Sequence, residues 1–275
     1  MPEGDSVYRL ARRLDSRLRG ALLARGELRV AAHAEADLAG RRVLEHATHG
    51  KHLLTRFDGD LTLHTHLRMD GSWTVTAPGR SVPRRVLPDV RVLLGVQDGP
   101  TAHGISLPVV ELVRTRDEHT VVGHLGPDPL RDDWDAGEAV RRLSADPGRP
   151  LAAALLDQRN LAGLGNLWVN ELCFLRGRSP WTPVGDVDLV PLVALAARAL
   201  RHSAHSRDGY QVTTGSTRRG ESHWVAGRAG RPCLRCGTTV RVEAEVPGDP
   251  GRRRTWWCPH CQPGPDAPRT GTVPQ

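Results

Sequence analysis

An α+β multidomain fold is predicted, with an N-terminal helix plus β-sandwich, then a C-terminal helical domain, then a four-cysteine zinc ribbon. Three observations predict it. Apolar residues recur at helical spacing over residues 5–18, short β-like runs follow to about residue 113, and beyond Gly126-Pro127-Asp128-Pro129 the period becomes helical again and ends in two Cys-x2-Cys pairs. The expected bounds are 1–128 for the helix and sandwich, 129–221 for the helical domain, 222–262 for the cysteine module, and a disordered tail over 263–275 carrying Pro263, Pro265, Pro268 and Pro274.

Val7, Leu10, Ala11, Leu14 and Leu18 share one helical face while Arg9, Arg12, Arg13 and Arg17 fall largely on the other, so an amphipathic helix starts just behind Glu3. The β-like runs are Val43 to His46, Leu53 to Phe57, Leu61 to Leu67, Trp73 to Thr76, Val90 to Val96 and Val109 to Val113. Asp58-Gly59 and Asp98-Gly99 supply turns between them, as a sandwich or barrel requires. Helices are expected over Ala136 to Leu143, Leu151 to Leu156, Leu167 to Leu175 (ending near Gly177) and Asp188 to His202. No internal repeat is present in the sequence.

The 275-residue chain is 39% hydrophobic, enough for a real core. Arg9, Arg12, Arg13, Arg17 and Arg19 interrupt every apolar run near the start, and no stretch reaches membrane-span length, so a cytoplasmic protein without a membrane partner is expected. A net charge of +7 favours a polyanionic partner such as nucleic acid, although basic proteins that bind none exist. Lys51 is the only lysine beside a large arginine complement. A coding bias toward arginine explains the absence elsewhere; the exception suits a compact, mobile ammonium that a planar guanidinium cannot replace, or is chance.

Pro2 follows the initiator Met1. Once the methionine is removed, its secondary amine, titrating near ~8 as α-amines do, can attack an electrophilic sugar carbon and form an iminium. Met-Pro is also an ordinary start, so the dipeptide alone leaves both readings open. Cys233-x2-Cys236 and Cys258-x2-Cys261, with residues 237–257 between the pairs, have the spacing of a structural zinc site that binds one Zn2+ and leaves no open position. Disulfides or redox pairs are the alternatives, disfavoured in a reducing compartment. Cys173 sits in an apolar helical run and reads as a buried thiol. Arg252, Arg253 and Arg254 lie between the cysteine pairs, where they grip phosphate or form a solvated cluster; the acids Glu243, Glu245 and Asp249 lie nearby. Gly163-Leu164-Gly165-Asn166 precedes a helix, an arrangement that serves as a phosphate site or as a tight interhelical turn.

Taken together in chain order, these segments resemble the formamidopyrimidine-DNA glycosylase and endonuclease VIII family. The matching pieces are Pro2-Glu3-Gly4, Gly50-Lys51, His66-Leu67-Arg68-Met69, Gly165-Asn166, and Arg253-x-Thr255-x2-Cys258-Pro259-His260-Cys261-Gln262, which together span almost the whole chain. The resemblance implies a helix-two-turns-helix DNA-binding segment and a bifunctional DNA glycosylase/AP lyase of base-excision repair, working as a monomer on damaged double-stranded DNA. It assigns Pro2 as nucleophile through a Schiff base, Glu3 as acid or base, and Lys51 as a contact to the phosphate beside the lesion that assists cleavage. It assigns Asn166 and Arg253 to flanking phosphates, with Arg253 also in the second elimination, and Met69 to filling the gap left by the flipped nucleotide. Met69 as a core residue capping a strand is the other reading. The strand is cut on both sides of the sugar, with no redox or nucleotide cofactor.

Two departures separate the chain from the guanine-lesion branch. Thr101 to Leu107 stands where that branch has Asp-Pro-Arg-Arg-Phe, so its Arg and Phe wedge is missing, and Ser6 replaces a second acid, with Asp5 one place earlier. Pro2-Glu3-Gly4-Asp5 and His49 to Arg56 look closer to the endonuclease VIII branch, which prefers oxidised pyrimidines. An oxidised-purine enzyme of the same family and a non-catalytic zinc-ribbon DNA-binding protein are the competing readings.

Overall fold

Helix α1, Gly4–Leu18, begins at Glu3 because the entering chain is closed locally: the Glu3 N–H donates to Ser6 Oγ at 2.8 Å, and that hydroxyl donates back to the Glu3 carbonyl at 2.8 Å. The computed structural model describes residues 2–206, 209–243 and 253–266. Met1, Glu245, Asp249, Gly251, Arg252 and residues 267–275 of the expected disordered tail lie outside the described residues. The chain divides between Leu125 and Gly126 into two compact units.

In the first unit, strands β1 (Leu23–Leu28), β2 (Val43–His49), β3 (His52–Phe57), β4 (Leu61–His66), β5 (Ser72–Thr76), β6 (Val90–Val96), β7 (Thr101–Ile105) and β8 (Val109–Arg114) form two antiparallel sheets, ordered β1-β6-β7-β5 and β2-β3-β4-β8. The apolar face of α1 and one face of each sheet share a core, with Val7, Leu14, Leu23, Phe57, Leu63, Trp73 and Val92 all buried in it. A short helix α2, His119–Val122, follows β8. Strands β1 and β7 are absent from the sequence expectation. Arg25-Gly26-Glu27 and His103-Gly104 break the alternation that marks a strand, and both segments are held by the apolar β6 between them. Gly26 is required there: a Cβ would stand 2.4 Å from that of Leu38.

The second unit contains α3 (Ala136–Ser144), α4 (Leu151–Leu156), α5 (Asn166–Leu175) and α6 (Leu189–His205), packed around Leu143, Leu151, Leu155, Trp168, Leu172, Leu192 and Leu200. Two turns join α4 to α5, and Gln158 staples them. Its Nε2 donates to Leu156 O at 2.9 Å and Leu164 O at 2.8 Å, while its Oε1 accepts the Gly163 N–H at 3.1 Å. Strands β9 (Arg241–Glu243) and β10 (Thr255–Trp257) then pair antiparallel, and Val225, Val240, Cys233 and Cys258 build a small core with Phe174 of α5. The Arg235 guanidinium lies 4.2 Å from the Phe174 ring centroid and 5.4 Å from that of Trp224.

Glu171, wholly buried on α5, ties the segment before the ribbon to the helical core. Its carboxylate accepts the N–H groups of Trp224 (2.8 Å), Val225 (2.9 Å) and Ala226 (2.9 Å), and the Thr213 hydroxyl. Glu171→Ala strands the buried N–H groups of Val225 and Ala226 and the half-buried one of Trp224, so a loss of about 3 kcal/mol in the stability of this unit is expected in denaturant unfolding. An unchanged unfolding midpoint would contradict this role.

Candidate active site and nucleic-acid interface

Pro2, Glu3, Lys51 and Met69 belong to the first unit; Asn166, Arg253 and the four cysteines belong to the second. Pro2 is half-buried, and the Glu3 side chain behind it is only 1% exposed at the first turn of α1. Its buried carboxylate accepts the Ser6 N–H, the side-chain half of the capping box that starts α1.

Gly50 and Lys51 are the two-residue hairpin turn between β2 and β3, with Gly50 at φ 57° supplying the left-handed first position. Lys51 therefore stands at the tip of a rigid ladder. The chain after β4 makes the next turn at the same end of the sheet, since His52 pairs with both His49 and His66. Arg68 takes φ 45° in this turn, and the Arg68 N–H donates to His66 Nδ1 at 3.0 Å. Met69 is 63% exposed, which rules out the core-capping reading. Between β7 and β8, Leu107 is buried against Gly71 and Gly104, so this connection carries a core anchor.

A histidine cluster lies behind these turns. His52 Nδ1 is 2.7 Å from His64 Nε2, and His64 Nδ1 is 2.8 Å from Glu111 Oε2. The His66 ring stands edge-on to His52 at 4.7 Å, and His124 does so at 6.0 Å. Burial, then neighbouring cationic groups including Lys51, pushes His66 down to about 4; burial and the surrounding histidines push His52 down to about 2. Sequence reasoning did not identify this group, because only the register of β3, β4 and β8 brings the rings and Glu111 together.

His46, buried with its Nδ1 3.6 Å from Asp15 Oδ1, is also held down to about 4, by burial. Such a residue is neutral in the fold but binds a proton in the unfolded chain below about pH 6.5, so stability is lost as pH falls from about 6.5 toward about 4. For His46 the slope reaches up to about 1.4 kcal/mol per pH unit, and His52 and His66 act in the same direction. The first unit is expected to melt lower near about pH 5 than near about pH 7.5 in a calorimetric scan; equal midpoints would contradict this.

In the second unit, Asn166 opens α5 behind Gly165, as the sequence suggests, but its amide is engaged with main chain: Nδ2 donates to Arg254 O at 2.9 Å. Asn170, one turn later, donates to Asn166 O at 2.5 Å and accepts the Trp256 N–H at 2.7 Å. The start of α5 is thereby bonded to the strand that follows Arg253. Sequence reasoning did not identify Asn170, because only this cross-chain pairing distinguishes it from any helical asparagine.

The four thiols of Cys233, Cys236, Cys258 and Cys261 converge, with all sulfurs within 4.8 Å of one another. Cys233–Cys261 and Cys236–Cys258 approach to 4.0 Å and 3.5 Å. A tetrahedral ion with bonds of ~2.3 Å separates its sulfurs by about 3.8 Å, so the cage has the size and softness a zinc ion needs. Cys173 is apart from this group; burial pushes its thiol up to about 12, which leaves it inert. Among the described residues no helix is long and apolar enough to cross a membrane.

Residues 1–103 match the model of the formamidopyrimidine-DNA glycosylase N-terminal domain, and residues 125–200 match that of the formamidopyrimidine-DNA glycosylase H2TH domain. The chain is 52% identical over 273 residues to a probable endonuclease 8 2 of Streptomyces coelicolor, covering 98% of this chain and 97% of that protein. It is 42% identical to the DNA-(apurinic or apyrimidinic site) lyase Nei2 of Mycolicibacterium smegmatis, covering 95% and 99%. In fold it resembles the crystal structure of Lactococcus lactis formamidopyrimidine-DNA glycosylase bound to DNA containing an AP site, with a TM-score of 0.75 at 22% identity over 95% of this chain and 100% of that one.

Proposed function

The chain belongs to the formamidopyrimidine-DNA glycosylase and endonuclease VIII family, as a DNA glycosylase/AP lyase of the endonuclease VIII type, and from there we propose that it removes oxidised pyrimidines from damaged double-stranded DNA through Pro2. The observation that carries this reading is the buried Glu3 carboxylate directly behind Pro2. Cleavage of Met1 frees the proline amine. Its lone pair attacks C1′ of the flipped nucleotide, the bond from C1′ to the base breaks, and the base leaves as an anion that takes up a proton. Glu3 delivers a proton to the sugar ring oxygen as the ring opens, and loss of the amine proton gives the iminium.

The iminium makes the C2′ proton acidic, so its removal expels the 3′-phosphate, and a second elimination expels the 5′-phosphate. Water then hydrolyses the iminium and frees the proline. Lys51, at its hairpin tip, carries positive charge to the phosphate beside the lesion; Arg253 and the start of α5 at Asn166 hold flanking phosphates, Arg253 also serving the second elimination. Met69, exposed on its turn, occupies the hole left by the extruded nucleotide, which costs a few kcal/mol to open. Cys233, Cys236, Cys258 and Cys261 hold one structural zinc ion, which supplies rigidity to the ribbon and takes no part in the chemistry.

We further propose a catalytic domain over residues 1–128, a helical DNA-binding domain over 129–221 and a zinc ribbon over 222–262, in a cytoplasmic monomer acting on chromosomal DNA. Duplexes carrying single oxidised pyrimidines or single oxidised guanines test the substrate preference. The pyrimidine duplexes are expected to be cut to a one-nucleotide gap with phosphate on both flanks. Faster cutting of the guanine lesions would move the enzyme to the oxidised-purine reading, and binding without cutting would leave a DNA-binding protein only.

A further inference from the structure

The histidine cluster at the turn end of the second sheet is a directional chain. Glu111 is half-exposed, His64 is only 3% exposed, and His52 is partly buried, so one charged group at the rim is linked through the buried His64 ring to His52. The His52 and His64 planes differ by 14° with centroids 5.0 Å apart, and their 2.7 Å contact joins nitrogen to nitrogen, so the rings meet end to end. A carboxylate only accepts, so the proton between Glu111 and His64 sits on His64 Nδ1. A His64 ring carrying only that proton offers a lone pair at Nε2, which His52 fills with an Nδ1–H. His52 is left with a bare Nε2, the reverse of the tautomer a free imidazole favours in water.

We infer that Glu111, His64 and His52 are positioning residues for strand cleavage: the carboxylate sets the tautomers of two rings in series, and those rings hold the Lys51 turn and the turn of Met69 in register. Register explains how they act. His52 directly follows Lys51 and pairs with His66, from which the Met69 turn departs, and the His66 ring rests edge-on against His52. The His66 Nδ1, occupied by the Arg68 N–H, keeps its own proton on Nε2. The chain's charged surroundings are His49 from β2, Lys51 and Arg68 from the two turns, His66 from β4, and His124 from the segment after α2. Burial first, then His66, His64, His124 and His49, opposes a second proton on His52, which keeps the ring neutral.

The kinetic part of this inference rests on the lyase reading, whereas the tautomers do not. Full-length protein labelled with 15N-histidine reports each ring nitrogen directly. Two rings are expected to be protonated at Nδ1 and bare at Nε2 near neutral pH. Glu111→Ala, at a half-exposed position that tolerates truncation, removes the acceptor and is expected to release both rings to the Nε2–H form. Glu111→Gln keeps an accepting oxygen without the charge and is expected to retain the wild-type tautomers.

In single-turnover cleavage of an abasic duplex, Glu111→Ala is expected to be slower by on the order of tenfold, as for loss of a partner that orients an active group, with Glu111→Gln recovering most of the rate. Wild-type rings protonated at Nε2, or an E111A protein that cleaves at the wild-type rate, would overturn the inference. So would equal slowing by both variants, which would make the charge rather than the tautomer the cause. A wild-type protein that neither cleaves nor forms a covalent complex overturns the lyase reading and this role with it; a competent wild type with an unaffected E111A overturns the chain alone.

Discussion

Glu3→Gln is expected to slow release of an oxidised pyrimidine by about 10²–10⁴-fold while leaving the fold intact. The substitution keeps the side chain's volume in its buried position, and the helix entry survives because Gln retains an accepting oxygen for the Ser6 N–H while Ser6 Oγ still closes the Glu3 main chain. What is lost is the proton that ring opening needs. A pre-formed abasic site reaches its open aldehyde in water without help, so covalent capture of that substrate should fall much less than base release. Equal losses on the two substrates would mean that Glu3 does not act in ring opening, and no loss on either would remove it from the reaction.

Cys258→Ser is expected to abolish zinc binding and to unfold the ribbon, while the helical core of the second unit persists. Cys258 is fully buried in the small core with Val225, Val240 and Phe174, and it is one of the four converging sulfurs. Structural zinc sites contribute roughly 10–16 kcal/mol in isolated fingers, far more than so small a core supplies by burial. With Arg253 at a flanking phosphate as proposed, loss of the ribbon should lower affinity for DNA and flatten the slope of log affinity against log salt by about one. Metal analysis and a salt titration check both parts. Undiminished binding by protein shown to be free of zinc would contradict the role of the module.

The chemistry that depends on local spacing was legible in the sequence. Two Cys-x2-Cys turns converge wherever the chain brings them, because each pair is held by its own knuckle, and the structure places all four sulfurs together. Helix α1 was legible for the same reason, since its apolar face is set within a few residues; its Ser6 closure was not read. Strands β1 and β7 were not, since Gly26 and Gly104 serve close packing against Leu38 and Leu107, which local pattern does not display. The histidine chain was hidden by register. His64 meets Glu111 only because β4 pairs with β8, and periodicity within one strand carries no information about its neighbour. Asn166 shows the same limit in the second unit, where its amide donates to the Arg254 carbonyl just before β10 and accepts from Asn170 Nδ2.

The nucleophile is the centre of the account, and borohydride trapping on an abasic duplex tests it most directly. Protein whose amino terminus is verified to begin at Pro2 is incubated with the duplex and borohydride, and the reduced adduct is digested and mapped by mass spectrometry. The account predicts one covalent complex, with the added sugar on the proline nitrogen, and its loss when an acetyl group blocks that nitrogen. An adduct mapped to Lys51, or no adduct from the verified protein, would contradict it.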